Sequence, residues 1–343
     1  MRRDIHFGAV ALAGGSLLLA ASGCDGKAYL EPFESCEELE DYIEDQAIKQ
    51  YTFTGGGGYG IAPPMRGAAP MDDMALEGDA GAGGTSQNGG GNSHSTTNTQ
   101  ERGVDEADFV KNDGDHIFVV GGDSLRIIDA WPAEEMNEVA TLGMEGWPEA
   151  MYLDGDQVAV LSHLYDEAAP AGDREVDVSG FVTKVSVVDV SDRTSPRLTR
   201  ELYVEGSLYD SRRVGDHLYL ITYRDLAETG IEYWDQTDSE IKDQVRERSL
   251  DQWMPRRALN DRTGESWSVK DDRVCDCTEV YRPNRDGGLA MMTVLTIDLS
   301  DPDSQPAGTS VLAGVGEVYA TPEHLYLAVY EPGSGPWRVN SAS

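Results

Sequence analysis

From Ala107 onward, apolar and polar positions alternate with the period of two that a strand requires. Four segments align on this pattern: ADFVKNDGDHIFVV, EAMYLDGDQVAVLS, SLYDSRRVGDHLYLIT and EVYATPEHLYLAV. Each reads as a strand, a tight turn and a second strand. The turn is rich in Asp and Gly in three of them and is Thr-Pro-Glu in the last. Ile117, Val158, Leu218 and Leu325 hold equivalent positions. The first three units continue into a third strand ending at Asp129, Asp189 or Asp298, then into a fourth: NEVATL, RLTRELYV or AGTSVLA. Repeated units of four antiparallel strands predict an all-β fold, a β-propeller, over residues 101–343. Three blades are complete and the last two strands begin another, about three and a half in all. A propeller takes at least four blades. The ring is therefore expected to be incomplete, either truncated or completed by something else. A long polar insertion, 224–290, interrupts the third blade.

The pattern ahead of the propeller is different. Ser35 followed by Glu38 is a capping-box signature, and Leu39, Tyr42, Ile43, Ala47 and Tyr51 fall at helical spacing. The segment 25–54 is thus expected to hold a helix at about 35–51 that packs on the main domain. Residues 55–100 are rich in Gly, Ala, Ser and Asn, with too little apolar surface to offset the entropy of ordering, and read as a disordered linker. The GGGGYG run within it lacks the strand, helix and Gly-Lys-Ser/Thr of a phosphate loop.

Arg2 and Arg3 precede the apolar run FGAVALAGGSLLLAASG, which ends at Ala21-Ser22-Gly23-Cys24. The run is short for a membrane span and polar chain follows at once, so residues 1–24 read as a signal peptide. Small residues before Cys24 resemble a bacterial lipobox, with Cys24 as the lipidation site. The expected location is the cell envelope, with the protein membrane-anchored through lipid on Cys24, or secreted if that lipid is absent.

Charge narrows the partners. Sixty-two Asp and Glu against 27 Lys and Arg give a net charge of −35. Such a surface repels phosphate backbones, so no nucleic-acid partner is expected. The six His include no pair at metal-ligand spacing, and no cofactor is expected.

The stretch STTNTQERGVDEADFVKNDGDHIFVVGGDSLRIIDAWP, with QWMPRR, CTEVYRP and SVVDVSD, resembles a bacterial and archaeal family of secreted proteins with a C-terminal β-propeller domain, distantly akin to WD40 proteins. The resemblance runs from Ser95 to the C-terminus. It implies a propeller that continues past this chain in other members, and it brings no established activity or site residue.

The densest acidic group is Asp105, Glu106 and Asp108 with Asp113 and Asp115. A calcium loop is one reading, since Ca²⁺ takes clustered oxygens, but the D-x-D-x-D-G order with a distal Glu is missing. Capping of the first blade by Asp side chains is the other. Recurrence of Asp129, Asp189 and Asp298 at one strand end points to turn chemistry. Ser162 and His163 are adjacent on a strand and so face opposite ways, and no G-x-S-x-G elbow exists. YWDQTD at Tyr233–Asp238 occurs once. With Cys24 lipidated, Cys36, Cys275 and Cys277 remain, and Cys36 is expected to pair with Cys275 or Cys277 in an oxidising compartment. No catalytic residue stands out. The function expected is a binding or interaction scaffold for an unknown protein or glycan ligand. The alternative is a hydrolase or lyase whose active site depends on further blades.

Overall fold

The computed structural model describes residues 7–13, 16–22, 30–54, 101, 103–165, 180–228, 230–232, 236–263, 266–284, 287–301 and 304–329. Cys24, the linker 55–100 and Tyr233–Asp235 lie outside them. Strands β1 (Phe7–Ala13), β2 (Ser16–Ser22) and β3 (Leu30–Pro32) precede helix α1 (Cys36–Thr54). The first blade is β4 (Val110–Asn112), β5 (His116–Gly121), β6 (Ser124–Asp129) and β7 (Asn137–Gly143). The second opens with β8 (Trp147–Asp154), β9 (Gln157–Tyr165), β10 (Phe181–Asp189) and β11 (Arg197–Glu205). The third starts with β12 (Ser207–Val214) and β13 (His217–Asp225). The insertion then adds α2 (Asp238–Arg246), α3 (Leu250–Trp253), β14 (Arg256–Thr263), β15 (Ser266–Arg273) and β16 (Val280–Pro283). The third blade resumes with β17 (Ala290–Asp298) and β18 (Ala307–Val311), and β19 (Val315–Ala320) and β20 (His324–Val329) form a further pair.

Four antiparallel strands in chain order make the common unit, and the insertion enlarges it. Strands β14 and β15 add to the outer edge of blade two, giving six strands. Blade three also has six, because β16 runs parallel to β18 and carries β3 on its far side. The polar insertion is therefore mostly sheet extension and helix. In the last sheet the order is β19-β20-β1-β2. The apolar run read as a leader here holds the third and fourth strand positions: Ala11 faces His324 as Asp129 faces His116 and Asp298 faces His217. Among the described residues no helix is long and apolar enough to cross a membrane.

Successive sheets pack face to face. Phe118, Leu125 and Ile127 of blade one meet Met151, Val158 and Val160 of blade two. Leu161, Val185 and Leu202 on the other face of blade two meet Leu218, Leu220 and Leu295 of blade three. Ile221, Met292 and Val294 of blade three meet Leu325 and Leu327 beyond it. Middle blades are thus covered on both faces, which is why VAVLS and FVTKVSVVD are buried almost throughout.

The recurrent Asp residues have a shared role. Asp129, Asp189 and Asp298 accept the amide two residues on, from Trp131 (3.4 Å), Ser191 (2.9 Å) and Ser300 (2.9 Å). The intervening amides of Ala130, Val190 and Leu299 donate to the carbonyls of Asp115, Asp156 and Asp216, each at 2.8 Å. These are Asx turns that close each third strand against the first turn of its blade.

Helix α1 starts where Ser35 Oγ accepts from the Glu38 amide at 3.1 Å, while the Glu38 carboxylate takes the Glu34 amide at 2.8 Å. Leu39, Ile43, Ala47 and Tyr51 form one buried stripe. It packs in the core that also holds Ile241 and Val245 of α2 and Trp253 of α3. Cys36 forms a disulfide with Cys277. Cys275 stays a buried thiol 3.3 Å from Ser310 Oγ, and burial pushes its pKa up to about 11.

Candidate functional site

Three members of the acidic group, Asp105, Glu106 and Asp108, lie where the first strands of the blades come together. Residues Gly103–Asp108 cross the first strands of the blades: Asp105 exchanges two backbone hydrogen bonds with Arg213 of β12 (2.8 and 3.0 Å), and Asp108 two with Met151 of β8 (3.2 and 2.8 Å). Val104 is buried with Ile221, Ala320 and Leu325. Gly103 has φ +91°, a conformation that disfavours side chains. The segment so pins blades one, two and three and touches β19, where Tyr319 donates to Glu101.

Cations from the inner strands face these carboxylates. Lys111 Nζ lies 2.9 Å from Asp105 Oδ1 and 2.7 Å from the Glu106 carbonyl. Arg212 pairs with Asp210 and sits 3.8 Å from Glu106; Arg213 pairs with Asp154. Burial raises the Asp210 pKa, with Arg212 opposing it. Burial also raises that of Tyr152, whose hydroxyl is 2.9 Å from Ser211 Oγ. Asp113 stands apart from this group. Its Oδ1 takes the amides of Asp115 (3.1 Å) and His116 (2.7 Å), and Arg193 of blade two reaches its Oδ2 at 3.1 Å. Burial would raise the Asp113 pKa, but these contacts outweigh it and hold the carboxyl below its ordinary value. Arg193 also binds Asp156, tying the turns of blades one and two. Asp105, Glu106, Asp108, Asp113 and Asp115 are thus spread over ion pairs, bridges and turns. Among the described residues no group of three or more His, Cys, Asp or Glu is placed to hold a metal ion.

A charged cluster in blade two gave no signal in the sequence. Lys184 on β10 is 1% exposed, and its Nζ lies 2.6 Å from both Glu201 Oε1 and Glu145 Oε2. Tyr203 donates to Glu145 at 2.8 Å, and Asn260 of β14 donates to Glu201 at 3.0 Å. The cluster sits on the side of the blade facing blade one, over the extra strand that the insertion supplies.

The opposite face of the same strands carries exposed rings at one end. Trp147 is in register with His163, stacked at 5.2 Å, and Tyr165 with Phe181, edge-on at 4.9 Å. Ser162, next to His163, is fully buried, so the two do face apart and form no nucleophile–base pair. Gly146 sets this corner: a Cβ there would lie 2.6 Å from the His163 carbonyl, so only glycine brings Glu145 and Trp147 in on either side. Glu149 Oε2 is 3.6 Å from His163 Nδ1. Aromatic rings held on ordered strands, half in solvent, are suited to contact a ligand with little loss of freedom.

No curated protein and no solved structure matches the chain significantly. A family model described as "Beta propeller domain" matches residues 94–342, which include the segment 103–108, strands β4 to β20 and the insertion. By that match and by its successive four-stranded units, the chain belongs to the beta propeller domain family.

Proposed function

We propose that this protein is an exported binding scaffold, held at the envelope membrane by lipid on Cys24, that meets its ligand with the aromatic end of blade two. The observation that carries the reading is the row Trp147, His163, Tyr165 and Phe181, exposed on strands whose other apolar side chains are buried or half-buried. The ASGC sequence at the end of the apolar run supports the anchor, and processing there takes β1 and β2 away from β20 in the last sheet. The net charge of −35 disfavours polyanionic ligands.

Two measurements test it. Mass spectrometry of the mature N-terminus should find lipid on Cys24, and Cys24→Ser should move the protein out of the detergent phase. The Cys24→Ser protein, which lacks the lipid, should cosediment with envelope fractions, and its Trp147→Ala/Tyr165→Ala derivative should not. Equal sedimentation of the two proteins would refute the assignment of the binding face.

A further inference from the structure

We propose that the aromatic end of blade two is a platform for a neutral glycan of at least two sugar rings. This rests on the binding-scaffold reading and names its ligand class. Trp147, His163, Tyr165 and Phe181 share one face, because register partners and residues two apart on a strand point the same way. From β8 to β10 are two inter-strand steps, and His163 to Tyr165 is one two-residue step. Trp147 and Phe181 are therefore roughly 12 Å apart, a span that fits a disaccharide. The three aromatic residues and His163 are each about half exposed. At 150–250 Å² per aromatic side chain, the open area is about 400 Å². That is half of the about 800 Å² per partner that a stable protein interface takes.

The chemistry of the patch matches a sugar. A pyranose offers a face of C–H groups and a rim of hydroxyls. The negative faces of Trp147, Tyr165 and Phe181 suit the first. The rim meets polar groups at the ring edges: the indole N–H of Trp147, the phenol of Tyr165, the imidazole of His163 and the Glu149 carboxylate 3.6 Å from it. Glu149 and the net charge of −35 turn away sulfated and phosphorylated polymers.

Calorimetry of the processed protein in detergent with cellohexaose and chitohexaose, heparin and a proline-rich peptide tests the proposal. One neutral hexaose should bind, and heparin and the peptide should not. Trp147→Ala and Tyr165→Ala should each weaken binding at least about tenfold, with unchanged melting temperature, and Trp147→Phe should retain most of it. Periodate, which cleaves sugar diols, should abolish Trp147-dependent binding to envelopes. Hexaose binding that is indifferent to Trp147→Ala overturns the proposal, as does binding of the peptide in its place. Trp147-dependent envelope binding that survives periodate and is lost to protease overturns the glycan and leaves the scaffold reading standing. Absence of any Trp147-dependent envelope binding takes down both.

Discussion

Replacing Lys184 by methionine removes a charge from the blade-two cluster and little else. The methionine keeps an unbranched stem of similar length beside Tyr203, whose ring centre lies 5.0 Å from Lys184 Nζ. What disappears is the ammonium 2.6 Å from two carboxylates, one of them, Glu201, 2% exposed. Taking one partner from a buried ion pair costs about 3–5 kcal/mol, because the remaining charge stays desolvated. Glu201 stays buried beside the neutral Asn260 amide once the ammonium is gone, so about 4 kcal/mol is expected, a large share of the 5–15 kcal/mol that folds a typical domain. With a urea slope of about 3 kcal/mol per M, the midpoint should fall by about 1.3 M. Unfolding followed by tryptophan fluorescence reads this directly. The same loss should be largely cancelled in Lys184→Met/Glu201→Gln, since glutamine removes the more deeply buried of the two carboxylates. A single-variant loss below about 1 kcal/mol, or strictly additive losses in the double variant, would refute the argument that charge compensation holds the cluster.

Three further outcomes are expected. Cys36→Ser should cost about 2–5 kcal/mol in thermal unfolding without reductant, because the bond to Cys277 closes a separation of 241 residues; stability equal to the parent's would show that the stripe on α1 suffices alone. Cys275, with its pKa pushed up to about 11, should resist alkylation at pH 8 until the chain unfolds, and the stability from its buried protonated form, present below about pH 9, should drain away as pH rises toward 11. The Ser300 hydroxyl and amide hold the Asp298 carboxyl below its ordinary value, so its contribution is full above about pH 4 and lost as pH falls through the folded pKa; Asp298→Asn should flatten the acid limb of a stability-versus-pH curve, and an unchanged limb would dismiss the turn as its source.

The repeat was legible because its signals are local. Turn residues and alternation lie within a few positions, so the blades, the third-strand Asp and the α1 stripe could be read directly. The insertion was not, because strands β14, β15 and β16 take their place through partners on β11 and β18, far away in the chain. Lys184 illustrates a second limit. In FVTKVSVVD an isolated lysine looks like the solvent side of a strand, yet both faces are covered and the counter-ions come from β11 and the turn before β8. The acidic run at Asp105 was visible as charge. Its role as a pin was not, since Arg212 and Arg213 approach from the third blade. The aromatic platform combines residues from three strands, and only pairing register shows that they share a face.

Helix α1 has a consequence for the order of events in making this protein. Three of its fastenings are distant in the chain: Tyr51 to Ala227 over 176 residues, Cys36 to Cys277 over 241 and Glu38 to Arg282 over 244. A ribosome or an export channel delivers the amino end first. When α1 emerges, every surface that will receive it is still unmade. The helix must wait, with its apolar stripe uncovered, until the third blade has arrived, and contacts of such long range form slowly. The helix is therefore settled late, and the disulfide at Cys36 cannot form before the insertion that carries Cys277 has arrived.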